Sequence, residues 1–142
     1  MTGLVDTLFS LDARVALVTG ASSGVGRAIA ESLALAGASV VLVARRQAEL
    51  DAACNEIAAA GGRAASVAAD LANRDEIGRC AARAADAFGP PDILVSAAGV
   101  NLRAPLLEVT EPQWDATLRI NLDAPFLLAQ KLAPAMIERR WG

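Results

Sequence analysis

The segment best suited to binding a ligand is the glycine-rich stretch Thr19–Gly26, which reads TGASSGVG. Its first glycine permits a tight turn, its second lets a pyrophosphate approach the backbone, and its third lets a helix pack closely. A helix that begins here presents free N–H groups and a partial positive charge to phosphates, and two serine hydroxyls can add donors. The stretch predicts a pyrophosphate site formed by Gly20, Ser22, Ser23, Gly24, Val25 and Gly26.

A glycine-rich turn can also bind nothing, so its surroundings matter. The segment Val15–Thr19 before it is short, apolar and β-branched, which indicates a buried strand. The segment Val25–Ala36 after it has apolar residues at helical spacing, and a glycine follows. A strand, a glycine turn and a helix in this order are the context that a dinucleotide-binding motif requires. We therefore expect a dinucleotide ligand.

Apolar runs alternate with amphipathic stretches along the whole chain, which predicts an α/β fold. Near-continuous apolar strands joined by helices indicate a parallel sheet covered on both faces. We expect a Rossmann-type doubly wound sheet with strand order 3-2-1-4, in one domain over residues 1–142. The expected strands are Val15–Thr19, Ser39–Ala44, Arg63–Ala69 and Ile93–Ser96, and the expected helices are Val25–Ala36, Gln47–Ala60, Asn73–Phe88 and Glu111 to about Arg139.

The residues after the second strand indicate which dinucleotide binds. In such folds an acidic residue there accepts hydrogen bonds from the ribose and selects NAD. This chain instead has Arg45, followed by Arg46. A guanidinium cannot accept those bonds, but it pairs strongly with a 2′-phosphate. We expect NADP(H) rather than NAD(H); the alternative is two solvated arginines at a helix start.

Composition excludes several classes of protein. The chain is 54% hydrophobic and carries a net charge of −3, with no histidine and two cysteines. An acidic chain is a poor nucleic-acid binder, and no apolar run is long enough to span a membrane. Without histidine or a CxxC pattern, no metal site is expected. The N-terminal residues do not resemble a secretory signal, and we expect a cytoplasmic protein.

These motifs together resemble the short-chain dehydrogenase/reductase family, of which the chain is similar to the N-terminal, cofactor-binding half. The resemblance implies that Asp70 and Leu71 border the adenine, although Asp70 could instead cap the following turn. It also implies that a small-residue segment after the fourth strand lines a ribose. That segment reads Ser96-Ala97-Ala98-Gly99, where the family usually has two asparagines before Ala-Gly. The expected lining residues are Ala97, Ala98 and Gly99.

The same resemblance gives Asn121 a catalytic role, in which it holds a water near a catalytic lysine. Pro125 follows four residues later and has no N–H, so the carbonyl of Asn121 loses its helical partner. The spacing predicts a kink in the long helix and a free carbonyl at Asn121.

The resemblance also implies residues that these 142 positions do not contain. The family uses a serine and a Tyr-x-x-x-Lys segment to move a proton while hydride passes between nicotinamide and an alcohol or ketone. The sequence has no tyrosine. We expect a truncated sheet without its later strands, a chain that is inactive alone, and a homo-oligomer formed through helix 111–139. The alternatives are a dinucleotide-binding module without catalysis, or an interaction fragment.

Overall fold

The computed structural model describes residues 8–142. Its four strands are β1 (Val15–Thr19), β2 (Ser39–Ala44), β3 (Arg63–Ala68) and β4 (Ile93–Ser96). Its helices are α1 (Gly24–Leu35), α2 (Gln47–Ala59), α3 (Arg74–Phe88), α4 (Glu111–Leu118) and α5 (Ala124–Arg139). A 3₁₀ turn covers Leu106–Glu108, and a π-helical segment, Arg119–Asp123, joins α4 to α5.

The strands form one parallel sheet in the order β3-β2-β1-β4, which confirms the predicted order. Every residue of β1 is buried, and so are the first five residues of β2. These two inner strands have apolar neighbours on both faces, which explains their nearly uninterrupted apolar sequence. Among the residues described, β4 pairs with β1 alone and is only partly buried.

Helices cover both faces of the sheet and divide its core in two. Alternate residues of a strand point to opposite faces, so Leu17 and Val18 belong to different clusters. The cluster containing Leu17 is completed by α3 and α5, through residues such as Ile77 and Leu128. The cluster containing Val18 is completed by α1 and α2, for instance by Leu50. The glycine-rich turn between β1 and α1 is thereby fixed between two packed elements.

The long C-terminal helix departs from its expected form. A Thr110–Gln113 capping box starts it, but its regular α-helix stops after Leu118. In the π-helical segment the N–H of Ala124 reaches back five residues, to the carbonyl of Arg119. Pro125 cannot donate a backbone hydrogen bond, so the chain needs an irregular turn near it. The irregularity lies where the sequence placed a kink, and it takes the form of a widened turn.

The Asn73-x-x-Glu76 sequence at the start of α3 forms only half of a capping box. The Asn73 side chain caps α3 by accepting the N–H groups of Asp75 and Glu76, at 3.0 and 3.4 Å. The Glu76 carboxylate does not return to Asn73, as a capping box would require. It accepts the N–H of Asp70 at 2.6 Å instead, because the turn after β3 brings that group closer.

A buried carboxylate fastens the amino-terminal edge of the sheet. Asp92 is 6% exposed, and its Oδ2 accepts the N–H of Val15 at 2.9 Å. Its Oδ1 lies 3.1 Å from Nη2 of Arg139, which also donates to the carbonyl of Pro91 at 3.0 Å. Asp92 therefore joins the start of β1 to the end of α5.

Replacing Asp92 with alanine should lower the free energy of unfolding by about 2–4 kcal/mol, because a buried N–H and a guanidinium lose their shared partner. Urea denaturation would measure the change. The control is Asp115→Ala, an exposed acid on α4, for which about 0.5 kcal/mol or less is expected. Equal effects of the two substitutions would refute the role assigned to Asp92.

Candidate cofactor-binding cleft

A cleft of about 330 Å³ opens at the carboxyl ends of the strands. Twelve of the thirteen residues proposed for cofactor binding line it; the remaining one, Gly24, does not. Four further lining residues were not predicted from the sequence, and these are Ala44, Ala69, Val100 and Ile120. The proposed residues that line it are Gly20, Ser22, Ser23, Val25, Gly26, Arg45, Arg46, Asp70, Leu71, Ala97, Ala98 and Gly99.

Two glycines at the base of the cleft are required by close backbone contacts. Gly20 has φ +66°, and a Cβ there would lie 2.8 Å from both the carbonyl oxygen of Ala97 and the nitrogen of Ala98. A Cβ on Gly26 would collide with the carbonyl oxygen of Gly20. Both contacts are with backbone atoms, which cannot rotate away. The start of α1, the end of β1 and the segment after β4 can therefore meet only if both positions are glycine.

The first turn of α1 is left open to an anion. Ser23 precedes this helix but makes no side-chain cap hydrogen bond, and the first turn contains no acidic residue. By contrast, Asn73 caps α3, and a Thr110–Gln113 capping box closes α4. Gly24 has φ +58°, and a Cβ there would meet nothing within 4 Å. The turn thus combines uncapped N–H groups with open space above them, which suits a phosphate.

Thr19 holds the segment after β4 against β1. Thr19 is only 1% exposed. Its Oγ1 accepts the N–H of Ala98 at 3.1 Å and donates to the carbonyl of Val95 at 3.4 Å. This hydroxyl therefore bridges Val95, within β4, and Ala98, just beyond the end of that strand. Thr19 belongs to the glycine-rich motif, but its pairing with residues almost eighty positions away could not be deduced from spacing.

Asn121 holds the same segment at Val100, two residues beyond Ala98. Its Oδ1 accepts the N–H of Val100 at 2.9 Å, and its Nδ2 donates to the carbonyl of Val100 at 2.8 Å. Both ends of the amide are thus engaged with one backbone residue. Ile120, beside it in the π-helical segment, lines the cleft. The π-helical segment therefore reaches the wall of the cleft through Ile120, while Asn121, which is not a lining residue, fixes the lining residue Val100.

The two arginines after β2 have different surroundings. Arg45 and Arg46 are both exposed and both line the cleft. The guanidinium of Arg46 lies 2.6 Å from the Glu49 carboxylate on the first turn of α2. Within residues 8–142, Arg45 forms no salt bridge. Both can present a positive charge to an anion, but only Arg46 already has an acidic partner.

The turn after β3 forms another part of the wall. The Asp70 carboxylate accepts the N–H of Ala72 at 3.0 Å, which is the turn-capping role considered as an alternative. Asp70 also lines the cleft, together with Leu71, which is 7% exposed. Capping the turn and bordering a ligand are compatible here, because a carboxylate has a second oxygen.

Other chemistries find little support in the described part of the chain. No group of three or more potential metal ligands occurs among residues 8–142. Burial raises the pKa of the Cys80 thiol to about 11, and burial together with the nearby Asp51 charge raises the pKa of Cys54. Both thiols are therefore protonated near neutral pH, and neither lines the cleft. None of the helices in this same range is long and apolar enough to cross a membrane.

Replacing Thr19 with valine keeps the shape of the side chain but removes both hydrogen bonds. We expect the free energy of unfolding to fall by about 1–2 kcal/mol, because the N–H of Ala98 loses its partner. Urea denaturation would report the loss. Thr117→Val is the control, since that hydroxyl only bonds back to the carbonyl of Gln113 within α4. A Thr19→Val protein no less stable than the control would show that the bridge contributes nothing.

Comparison with known proteins identifies the family. Residues 14–142 match the sequence profile of the family described as short chain dehydrogenase. A short chain dehydrogenase of Pseudocercospora fijiensis is 40% identical over 134 residues, which are 93% of this chain and 43% of the relative. The chain spans about half the length of the curated relatives that it matches.

Solved structures agree with the sequence relatives. A metagenomic short-chain oxidoreductase in complex with NADP is 47% identical, with a TM-score of 0.88 over 93% of this chain and 60% of that one. A 3-oxoacyl-(acyl-carrier-protein) reductase from Agrobacterium tumefaciens, solved with NADP bound, is 38% identical, with a TM-score of 0.91 over 97% of this chain and 53% of that one. With the strand order, the glycine turn and the matched profile in agreement, the chain belongs to the short chain dehydrogenase family.

Proposed function

We propose that the cleft binds NADP(H) and that the protein is an oxidoreductase that interconverts an alcohol and a carbonyl. The observation that carries the proposal is that an uncapped α1 N-terminus and the side chains of Arg45 and Arg46 line the same cleft. The first suits a pyrophosphate, and the second suits the 2′-phosphate that distinguishes NADP(H) from NAD(H). The two similar structures solved with NADP support the same cofactor.

Each part of the cofactor has residues that fit it. The N–H groups at Ser23–Gly26 would bind the pyrophosphate, with Ser22 and Ser23 as further donors. Asp70 and Leu71 would border the adenine. The small side chains of Ala97 and Ala98, with Gly99, would let a ribose approach the backbone. When bound, NADPH supplies the hydride for carbonyl reduction.

Asn121 is assigned a positioning role in this proposal. Its amide side chain fixes Val100, at the end of the ribose-lining segment, so it sets the shape of the cleft wall. The resemblance has Asn121 hold a water, and the spacing to Pro125 suggests that its backbone carbonyl does so; the widened turn alters the backbone pattern at this point. We retain that carbonyl as the proposed contribution of Asn121 to catalysis.

Proton transfer to the substrate oxygen requires an acid that these 142 residues do not provide in the family's form, since they contain no tyrosine. We therefore propose that these residues alone bind cofactor without turnover, and that reduction needs a polypeptide carrying a Tyr-x-x-x-Lys segment. A small alcohol or ketone is the proposed substrate. The second candidate is a dinucleotide-binding module without catalysis, which rests on the same cleft.

A homo-oligomer and a cytoplasmic location complete the proposal. Trp114, Leu122, Phe126 and Ile137 are 59–74% exposed along α4, the π-helical segment and α5. An apolar row of this kind suits a second copy of the chain. Neither Cys54 nor Cys80 forms a disulfide, as expected of a protein kept in a reducing compartment.

Replacing Arg45 with alanine should weaken NADPH binding about 10- to 100-fold, because a charged hydrogen bond to the 2′-phosphate is lost. NADH binding should change less than about two-fold, since NADH has no such phosphate. Fluorescence titration of each cofactor measures both constants. Arg79→Ala, an exposed arginine on α3 that lies outside the cleft, is the control. Equal losses for NADPH and NADH would refute 2′-phosphate recognition by Arg45.

Replacing Phe126 with aspartate should dissociate the proposed oligomer, because a charge would be buried at the centre of the apolar row. Sedimentation velocity on the wild-type and variant proteins would show the shift toward monomer. Leu35→Asp serves as the control, since Leu35 is 74% exposed on α1, on the other face of the sheet. A wild-type protein that sediments as a monomer at micromolar concentration would contradict this part of the proposal.

A further inference from the structure

Glu49 forms an ion pair with Arg46 of the proposed 2′-phosphate site but does not line the cleft. It occupies the third position of α2, whose N-terminal cap residue is Arg46. At the equivalent position of α4, Gln113 accepts the backbone N–H of its cap residue, Thr110, at 2.9 Å. Glu49 instead reaches the side chain of its cap residue, with Oε2 lying 2.6 Å from Nη2 of Arg46. Its charge is therefore directed at one of the two arginines that would read the phosphate.

This carboxylate competes with a phosphate for the same guanidinium. A 2′-phosphate carries about 1.5 to 2 negative charges at neutral pH. The Glu49 carboxylate places another negative charge beside Arg46, the guanidinium that the phosphate would approach. The phosphate must displace Glu49 from Arg46 before it can pair with that guanidinium. The displacement lowers affinity for a 2′-phosphorylated cofactor and leaves a cofactor with a free 2′-hydroxyl unaffected.

The exposure of the pair sets the size of the effect. The Arg46 side chain is 68% exposed and the Glu49 side chain 37% exposed, so water screens their attraction. Exposed ion pairs of this type change an equilibrium by up to about five-fold. Arg45 has no acidic partner within residues 8–142, so no carboxylate competes with the phosphate for its guanidinium. Within residues 8–142, Arg46 is therefore held by a carboxylate, whereas Arg45 is not.

We propose that Glu49 is a specificity-determining residue that restrains Arg46 and weakens the preference of the site for NADP(H) over NAD(H). The inference rests on the proposed function, because it assumes that the two arginines bind the 2′-phosphate. It assigns Glu49 a positioning role, exerted through Arg46 and without contact with the cofactor.

The test is a double-mutant cycle on the purified protein, with NADPH and NADH as the two probes in fluorescence titrations. Glu49→Gln keeps the size of the side chain and removes its charge. It should tighten NADPH binding about two- to five-fold and leave NADH binding unchanged. In an Arg46→Ala background the same substitution should have no effect on either probe, because the residue through which Glu49 acts is gone.

Glu111→Gln is the matched control, since Glu111 is also an acid in the first turn of a helix and lies away from the cleft. It reproduces the change in net charge and should leave both constants unchanged. Thermal denaturation of each variant separates a loss of folded protein from a change in affinity.

The possible outcomes distinguish the two proposals. If the wild-type protein binds NADPH but Glu49→Gln leaves the NADPH affinity unchanged or weaker, the role of Glu49 is wrong and the proposed cofactor stands. The role is also wrong if the substitution tightens NADPH and NADH equally, or if its effect persists without Arg46. If the wild-type protein binds neither cofactor, the proposed function itself fails.

Discussion

The close approach of three backbone segments at the end of β1 determines the rest of the site. The turn at Gly20 lies against Ala97 and Ala98 on one side and against Gly26 on the other, with no room for a Cβ at either glycine. Because these are contacts between backbone atoms, they fix the entry of α1 and the path of the chain after β4 together. The hydroxyl of Thr19 and the amide of Asn121 then tie that path down at Ala98 and Val100.

The helix N-termini show where the fold leaves hydrogen-bonding capacity unused. α3 and α4 have side-chain caps, which satisfy their first N–H groups. α1 has no such cap, and it starts at the floor of the cleft. Uncapped N–H donors are costly unless water or a ligand satisfies them, and their position next to an open cleft lets a bound ligand do so. α2 also lacks a side-chain cap, and there Arg46 and Glu49 carry opposite charges beside the cleft.

Local signals were sufficient to predict most of the fold. The strands β1, β2 and β4 have the expected bounds, because short apolar runs between glycines and helix signals define them. The glycine turn was predictable for the same reason, since all of its residues are adjacent in sequence. The helix around Pro125 was expected to be irregular because proline lacks an N–H, but the sequence does not specify that the irregularity takes a π-helical form.

The remaining features depend on contacts between distant residues. Asp92 meets Arg139 and Val15, and Thr19 meets Ala98, only after the sheet has formed. Val100 and Ile120 line the cleft because the segment after β4 and the π-helical segment meet there, and neither residue type indicates ligand binding. The hydrogen-bond partner of the Glu76 carboxylate is likewise determined by the turn after β3, which presents the N–H of Asp70, and not by the spacing of Glu76 from Asn73.

A crystal structure of the protein grown with NADP⁺ would test the central claim most directly. The account predicts pyrophosphate oxygens within hydrogen-bond distance of the backbone N–H groups at Ser23–Gly26, and the 2′-phosphate on the guanidinium of Arg45. A cofactor bound with its 2′-phosphate directed away from Arg45, or a cleft left empty at saturating NADP⁺, would contradict it.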